Sequence, residues 1–474
     1  MQLRRQLPEP VFGLFPPPEE RSKVDDILTR RLAQAHAGVS EGSVTPTIDM
    51  ETFRRELATF DFEAARDFER CAAWAITQMQ HGVVHMTNPR YFGLFNPAPS
   101  FPAQCADRIS AAFNPQLAAW TTSPVAVEIE RHVIEAVLAR LRLPEGSVGH
   151  FTTGGSEANY TALLCALMHA EKNFASEGAR AFKNRPLFYV SQDCHVAWIK
   201  IAVQSGLGRD AVRLIATDGA GRMDPTALNA TIIDDLNRGC IPVMVAATAG
   251  TTNAGMVDPL IACADIARKF RLFYHVDAAW GGALIASEAL RGALAGIELA
   301  DSVTIDAHKW FATTMGCGMF FTKYADLLSS TFQTTASYMA SRLVNLDPYV
   351  TTMQWSRRFL GLRLFLSLAT VGWRGHGSHV ERSVALSEMI GQQLAARGWR
   401  TVNNSSMAVL CVQPPPEAGE VGAIVKRVLA SGAAWISVAT FEGRQVIRIC
   451  VTHGETSAED IVRLVDALTV PSDR

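Results

Sequence analysis

The chain has 474 residues, of which 48% are hydrophobic, and this is typical of a globular protein with two or three domains. Its formal net charge of -2 argues against binding to nucleic acid or to an anionic membrane, because no basic excess is available to neutralise phosphates. The nine scattered cysteines contain no Cys-x-x-Cys pair, so we expect neither a disulfide framework nor a metal site. The N-terminal residues lack the apolar segment of a signal peptide, and no run of about 18 apolar residues predicts a membrane helix, so we expect a cytoplasmic protein.

Residues 1–75 predict a helical arm. Helical patterns at 23–37 and 50–57 are separated by turn-forming residues and follow two proline clusters, at 8–10 and 16–18. Because so short and interrupted a segment cannot bury its own apolar residues, we expect it to pack on a partner subunit.

Residues 76–345 alternate between apolar strands and helical stretches. This alternation predicts a large α/β domain whose central sheet is mostly parallel and covered by helices on both faces. The predicted strands cover residues 187–190, 212–215, 242–247, 272–276, 302–305 and 319–322. The predicted helices cover residues 160–172, 196–204, 225–236 and 259–270.

The remainder of the chain predicts a connection and a second domain. Residues 346–375 are expected to form a loop and a connecting helix at 353–372, and residues 376–474 a small C-terminal α+β domain. Its predicted helices cover residues 378–397, 421–429 and 458–468, and its predicted strands cover residues 407–412 and 444–451.

A short apolar strand runs directly into the pair His308 and Lys309. Ligands of open α/β folds collect at the carboxyl edge of the sheet, so Lys309 is predicted to lie in a ligand site. Apolar surroundings would favour the neutral amine, which can react with an aldehyde cofactor. The alternative is an ordinary lysine at a strand end that extends its ammonium group to solvent.

Three further segments end in the same way, with small or polar residues after an apolar strand. Asp277 follows one strand, and a buried carboxylate needs a partner such as a protonated pyridine nitrogen, although a helix N-cap is an equal alternative. His195 and Thr248 follow two other strands. We therefore expect His195, Thr248, Asp277 and Lys309 to lie along one edge of the sheet.

Glycines and a hydroxyl at residues 154–156 precede a strongly helical stretch. Backbone N–H groups at the positive end of a helix dipole suit a phosphate, so Gly155 and Ser156 are candidates for holding a monophosphate. The same residues also occur as ordinary helix-capping punctuation.

Taken together, these motifs resemble those of the group II pyridoxal-phosphate-dependent amino-acid decarboxylases, which include aromatic-amino-acid, glutamate and diaminobutyrate decarboxylases. The resemblance covers nearly all of the chain and includes Thr-Thr-Gly-Gly-Ser at 152–156, His-Val-Asp-Ala-Ala at 275–279 and His-Lys at 308–309. It implies fold type I, pyridoxal 5'-phosphate as cofactor, and conversion of an L-amino acid to its amine and CO2. It also implies a homodimer with active sites at the subunit interface.

The resemblance further implies eight residues that contact the cofactor. They are Gly155 and Ser156 at the phosphate, His195 and Ala279 on the two faces of the ring, Thr248 near the ring, Asp277 at the ring nitrogen, and His308 and Lys309, of which Lys309 carries the cofactor.

Similar enzymes place a proton-donating tyrosine on a loop that reaches the neighbouring active site. The matching segment here is 346–352, so Tyr349 is the candidate for this catalytic role and Tyr338 is the alternative. The resemblance places Phe95 and Asn96 in the substrate pocket, and Trp120 could complete an aromatic wall.

This wall favours an aromatic L-amino acid, with glutamate or a diamino acid as alternatives. Asn88 departs from the family pattern, because similar enzymes usually carry histidine there, and Arg448 matches an arginine found whatever the substrate. An aminotransferase, a retro-aldol lyase and an aldehyde synthase remain possible on the same scaffold. A catalytically silent cofactor-binding protein would be expected to lack part of the motif set, and none is lacking.

Overall fold

The computed structural model describes residues 11, 13–332 and 347–469, which form helices around two β-sheets. The helices are α1 (Pro18–Ala37), α2 (Met50–Leu57), α3 (Phe68–Gly82), α4 (Phe101–Phe113), α5 (Pro124–Leu141), α6 (Gly155–Ala170), α7 (Phe174–Glu177), α8 (Ala197–Gln204), α9 (Pro225–Asn237), α10 (Leu260–Phe270), α11 (Ala325–Phe332), α12 (Gly361–Ala395), α13 (Val421–Ser431) and α14 (Ala458–Thr469). The strands are β1 (Val148–Thr152), β2 (Pro186–Ser191), β3 (Val212–Ile215), β4 (Ile241–Thr248), β5 (Phe273–Asp277), β6 (Ser302–Asp306), β7 (Gly318–Thr322), β8 (Arg400–Thr401), β9 (Val409–Gln413), β10 (Ser437–Phe441) and β11 (Arg444–Cys450).

The larger sheet has seven strands in the order β1-β7-β6-β5-β4-β2-β3. Strands β2 to β6 pair in parallel, whereas β7 runs antiparallel to both β1 and β6. Strands β2, β5, β6 and β7 are buried along their whole length, which explains the nearly continuous apolar runs of β2 and β7, whereas β6 alternates apolar and polar residues. The prediction of a mostly parallel sheet covered by helices is confirmed.

The smaller sheet contains four antiparallel strands in the order β10-β11-β9-β8. Helices α12, α13 and α14 pack beside it. Arg448 on β11 connects this sheet to the larger one, because its guanidinium donates hydrogen bonds to the backbone carbonyls of Thr252 and Gly93. The smaller sheet thus lies against the loop that follows β4.

The connection between the two sheets differs from the sequence prediction. The helix expected at 353–372 begins only at Gly361, because the buried Glu130 carboxylate accepts hydrogen bonds from the N–H groups of Leu360 and Gly361, at 3.1 and 3.0 Å. This helix and the one predicted at 378–397 are joined in α12, with a break at Gly372, whose φ is 66°. Helices α3 to α5 and strand β1 were not predicted.

A buried ion pair holds the segment before α12 against the larger sheet. Arg357 lies 2.6 Å from Glu130 on α5, and both side chains are less than a tenth exposed. Arg357 also donates to the carbonyl of Phe151 on β1, at 3.2 Å. Since β1 leads directly into α6, this pair positions both the segment after Tyr349 and the start of α6.

We predict that Glu130→Ala lowers the free energy of unfolding by about 3–5 kcal/mol, because it leaves the Arg357 guanidinium buried without a counter-charge. Urea unfolding of the purified protein measures this loss. The matched control is Glu51→Ala, which removes an exposed ion pair with Arg55 and is expected to cost less than about 1 kcal/mol. Equal losses in the two variants would contradict the proposed importance of the buried pair.

Candidate active site

The candidate site lies where adjacent parallel strands end. In the pairing of β4, β5 and β6, Thr248 is opposite Asp277, and Asp277 is opposite Thr304. Parallel strands that end in register present their last side chains at one edge of the sheet. This edge borders a cavity of about 280 Å³. The predicted residues that line the cavity are Phe95, Gly155, Ser156, His195, Thr248, Asp277, Ala279, His308 and Lys309.

Lys309 occupies this cavity, but its surroundings are less apolar than the sequence suggested. Its Nζ atom lies 3.0 Å from Oδ2 of Asp306, the last residue of β6. Asp306 is only 3% exposed and its other carboxylate oxygen has no hydrogen-bond partner among the described residues. Asp306 was missed because alternation along β6 gave it no distinct signal. The clue available in the sequence was that Asp306 precedes Lys309 by three residues.

The start of α6 closes one end of the cavity. The helix begins at Gly155, earlier than the predicted stretch, so the first-turn N–H groups face the cavity at the positive end of the helix dipole. A Cβ atom on Gly155 would lie 2.8 Å from Oδ2 of Asp306 and 3.3 Å from Cβ of Ala279. Only glycine therefore allows this helix start to approach the lysine so closely.

Asp277 is held in a fixed orientation. Its Oδ2 accepts a hydrogen bond from Nδ2 of Asn159 at 2.8 Å, and its Oδ1 accepts one from the N–H group of Ala279 at 3.1 Å. The side chain is only 5% exposed, so an additional cationic or N–H partner from a ligand would compensate its burial. Asp277 is not a helix N-cap, because the 3₁₀ helix that follows begins at Gly281 and has Trp280 at its N-cap.

His195 lies near these groups and lines the same cavity. Its Nδ1 accepts a hydrogen bond from the N–H group of Ala197 at 3.1 Å, which assigns the ring proton to Nε2 in the neutral form. Burial lowers the pKa of His195, with the nearby Asp277 charge acting in the opposite direction. A largely neutral imidazole at pH 7 is suited to packing against a flat ring.

These residues fit one type of ligand. The cavity combines a lysine amine, a buried carboxylate, a helix start able to bind an anion, and the buried hydroxyl of Thr248, which has no hydrogen-bond partner among the described residues. An aldehyde, a protonated ring nitrogen and a phosphate within one molecule would satisfy the lysine, the carboxylate and the helix start respectively. The fold and site therefore define a pyridoxal 5'-phosphate enzyme.

Comparison with known proteins gives the family. The pyridoxal-dependent decarboxylase conserved domain matches residues 63–412, and the chain belongs to this family. It is 27% identical over 436 residues to an aromatic-L-amino-acid decarboxylase of Bacillus atrophaeus, covering 89% of each chain. It is 28% identical to the acidic amino acid decarboxylase GADL1 of Bos taurus, covering 81% of this chain and 78% of the relative.

A solved structure shows the same fold. The apo form of mouse CSAD superposes with a TM-score of 0.89 at 25% identity, covering 96% of this chain and 99% of that chain. The protein is thus a pyridoxal-phosphate-dependent amino-acid decarboxylase, and relatives with different substrates match it about equally well.

Several predicted site residues do not line the cavity of their own chain. Asn96 contacts the sulfur of Met315, and Trp120 donates its indole N–H to Glu128. The buried Tyr349 lies with its ring 4.8 Å from that of Trp355. The alternative acid, Tyr338, lies outside the described residues.

One aromatic residue of the cavity wall was not predicted. Trp280 follows Ala279 and stacks on Phe95, with ring centroids 4.2 Å apart and planes at 11°. Its other neighbour, Trp310, stacks at the same separation. The signal available in the sequence for Trp280 was its position directly after the motif His-Val-Asp-Ala-Ala at 275–279.

Within the described ranges, no helix is sufficiently long and apolar to cross a membrane. Likewise, no group of three or more histidine, cysteine or acidic side chains in those ranges is arranged to hold a metal ion.

We predict that Gly155→Ala weakens pyridoxal 5'-phosphate binding by at least about tenfold, because the added methyl group would overlap the Asp306 carboxylate. Titration of the apoenzyme with the cofactor, followed by absorbance, measures the dissociation constant. Gly422→Ala on α13 is the control, because a Cβ atom there meets nothing within 4 Å. Unchanged binding in Gly155→Ala would show that this helix start does not hold the cofactor.

Proposed function

We propose that this decarboxylase acts on an aromatic L-amino acid and releases the corresponding amine and CO2. The observation that carries the substrate class is the stacked pair Phe95 and Trp280 in the cavity wall. Because both faces of Trp280 are covered, by Phe95 and Trp310, an aromatic substrate would meet the edges of these rings. An edge-to-face contact of this kind contributes about 1 kcal/mol beyond the apolar area that it buries. The aromatic-L-amino-acid decarboxylase that aligns with 89% of the chain supports the same class.

The charges around the cavity argue against an acidic substrate. Among the described residues that line it there is no arginine, and its lysine is Lys309. Arg448 lies behind the wall, 4.8 Å from the ring centroid of Phe95, and bonds to backbone carbonyls of Thr252 and Gly93. A second carboxylate on the substrate would therefore lack the paired cation that buried carboxylates require.

Eight residues of the cavity have a role in this proposal. Lys309 would bind the cofactor covalently through its amine, and the Asp277 carboxylate would hold a proton on the ring nitrogen. The N–H groups at the start of α6, at Gly155 and Ser156, would hold the phosphate. Pyridoxal 5'-phosphate, when bound, supplies an electron sink for the electron pair left behind by the departing CO2. His195 and Ala279 would hold the faces of the cofactor ring, with Thr248 near the ring and His308 beside the lysine.

Protonation of the substrate carbon requires an acid, and we assign this role to Tyr349 of a second subunit. Tyr349 is absent from the lining of its own chain's cavity, and its N–H group bonds to the carbonyl of Ala118 at 3.0 Å. Gln116, two residues before Ala118, lines a groove along which Ile109, Phe113 and Val125 expose apolar side chains. Exposed apolar surface of this kind is typical of a subunit interface. We propose a cytoplasmic homodimer whose sites include residues of both chains, with Asn96 and Trp120 near the substrate of a neighbouring site.

We predict that a panel of L-amino acids gives CO2 and amine in equal amounts with aromatic substrates, and at least about tenfold lower kcat/KM with glutamate and 2,4-diaminobutyrate. Trapped CO2 and chromatography of the amine measure the two products. Preference for an acidic substrate would contradict the substrate class. Ammonia and aldehyde in place of amine would instead indicate an aldehyde synthase, and amine transfer to a keto acid an aminotransferase.

We predict that Tyr349→Phe lowers amine formation by about a hundredfold, because the proton donor is lost. Mixing this variant with Lys309→Ala should restore about a quarter of wild-type activity, because half of the dimers are mixed and each has one site with both residues intact. Differently tagged chains, co-expressed and assayed together, provide the measurement. Each variant alone is the control, and absence of recovery would contradict action across the interface.

A further inference from the structure

A line of buried polar side chains begins beside Asp277 with Asn159, which also lines the cavity, and continues to His275 and Ser302. Asn159 on α6 donates from Nδ2 to the Asp277 carboxylate at 2.8 Å, and its Oδ1 lies 3.0 Å from Nε2 of His275. Nδ1 of His275 lies 2.7 Å from the hydroxyl of Ser302. The side chains of Asn159, His275 and Ser302 are all at most 2% exposed.

The direction of every hydrogen bond in this line follows from the first. A carboxylate only accepts, so Asn159 must direct its amide N–H toward Asp277 and its carbonyl oxygen toward His275. Nε2 of His275 must therefore carry the ring proton. Nδ1 of the neutral ring then accepts from the hydroxyl of Ser302.

These hydrogen-bond directions require a neutral His275 ring, and the surroundings of His275 favour that form. Burial lowers the pKa of His275 to about 4, outweighing the opposite effect of the Asp277 charge. A protonated ring would present N–H groups on both sides. It would still bond to Ser302, but with the hydroxyl reversed, and burial disfavours that charge.

These side chains are not needed to hold the strands together. The backbones of β5 and β6 are already paired, with His275 opposite Ser302 and Asp277 opposite Thr304. The side chains instead connect three elements that carry cofactor-binding residues, since α6 bears Gly155, β5 bears Asp277 and β6 leads to Lys309. A buried polar network of this kind specifies an orientation more than it adds stability.

We propose that Asn159 and His275 are positioning residues that fix the Asp277 carboxylate toward the cofactor's ring nitrogen and thereby maintain its proton. This inference rests on the proposed role of Asp277. Without the Asn159 donor, one carboxylate oxygen would lose its partner and the carboxylate could rotate about its Cβ–Cγ bond. The proton on the ring nitrogen would be held less firmly, and electron withdrawal from the substrate carbon would weaken.

The test compares Asn159→Ala, His275→Leu and His275→Gln with the wild-type protein. Asn159→Ala removes the donor to Asp277, and His275→Leu removes the group that orients Asn159 while filling a similar volume. We expect about tenfold weaker binding of pyridoxal 5'-phosphate to the apoenzyme and about tenfold lower kcat in both, with KM changed less than about threefold. His275→Gln keeps a donor near the Nε2 position and should restore both quantities to within about threefold of wild type.

His150 provides a matched control. It is a buried histidine on β1 whose ring nitrogens have no hydrogen-bond partner among the described residues, and burial lowers its pKa to about 3. Like His275→Leu, the variant His150→Leu replaces a buried imidazole by leucine. It should leave cofactor binding and kcat unchanged, because His150 is not part of this line of side chains. Thermal unfolding of each variant shows which of them fold. Should His275→Leu fail to fold, Asn159→Ala alone decides the question.

Two results would overturn this proposal while leaving the function intact. One is wild-type cofactor affinity and kcat in Asn159→Ala. The other is wild-type cofactor affinity and kcat in His275→Leu, which would show that His275 does not orient Asn159. A wild-type protein that neither binds the cofactor nor forms amine would instead contradict the proposed function, so the two failures are distinguishable.

Discussion

The alignment of β4, β5 and β6 is the constraint on which the site depends. Their pairing places Thr248 opposite Asp277 and Asp277 opposite Thr304, so that side chains distant in sequence meet at one edge. Asp306 ends β6 at the same edge, and Lys309 follows three residues later. A one-residue slip of β5 would turn Asp277 to the opposite face of the sheet and remove it from the cavity. The burial of both faces makes such a slip costly, so the same apolar core that stabilises the sheet also sets the geometry of the site.

Charge is distributed unevenly within this edge. Two buried carboxylates, Asp277 and Asp306, line a cavity in which Lys309 pairs with Asp306 and, among the described residues, with no other carboxylate. Asp277 is satisfied instead by N–H donors from Asn159 and Ala279. One carboxylate is thus directed at the amine and the other is available to a ligand.

Much of the site could be predicted because its residues follow strands, and strand ends are readable in sequence. Lys309, Asp277, Thr248 and His195 each stand after an apolar run, and parallel strands must present such ends together. Asp306 could not be distinguished in this way, because a polar residue in an alternating strand normally faces solvent. Its burial arises from the approach of α6 at Gly155, a tertiary contact without a local signal.

The connecting helix shows a similar limit. Its start at Gly361 depends on Glu130, which lies 231 residues earlier in the chain, and no local pattern reveals such a partner. Tyr349 illustrates a second limit of local patterns, since its predicted role requires a second chain. The division into an arm, a large domain and a small domain likewise remains a prediction.

Attachment of the cofactor to Lys309 is the central claim, and peptide mapping after borohydride reduction of the wild-type holoenzyme tests it most directly. Reduction makes the lysine linkage permanent, so digestion and mass spectrometry should recover the phosphopyridoxyl group on the peptide that contains Lys309. Recovery of the group on another lysine, or a colourless protein with no modified peptide after incubation with the cofactor, would contradict the claim.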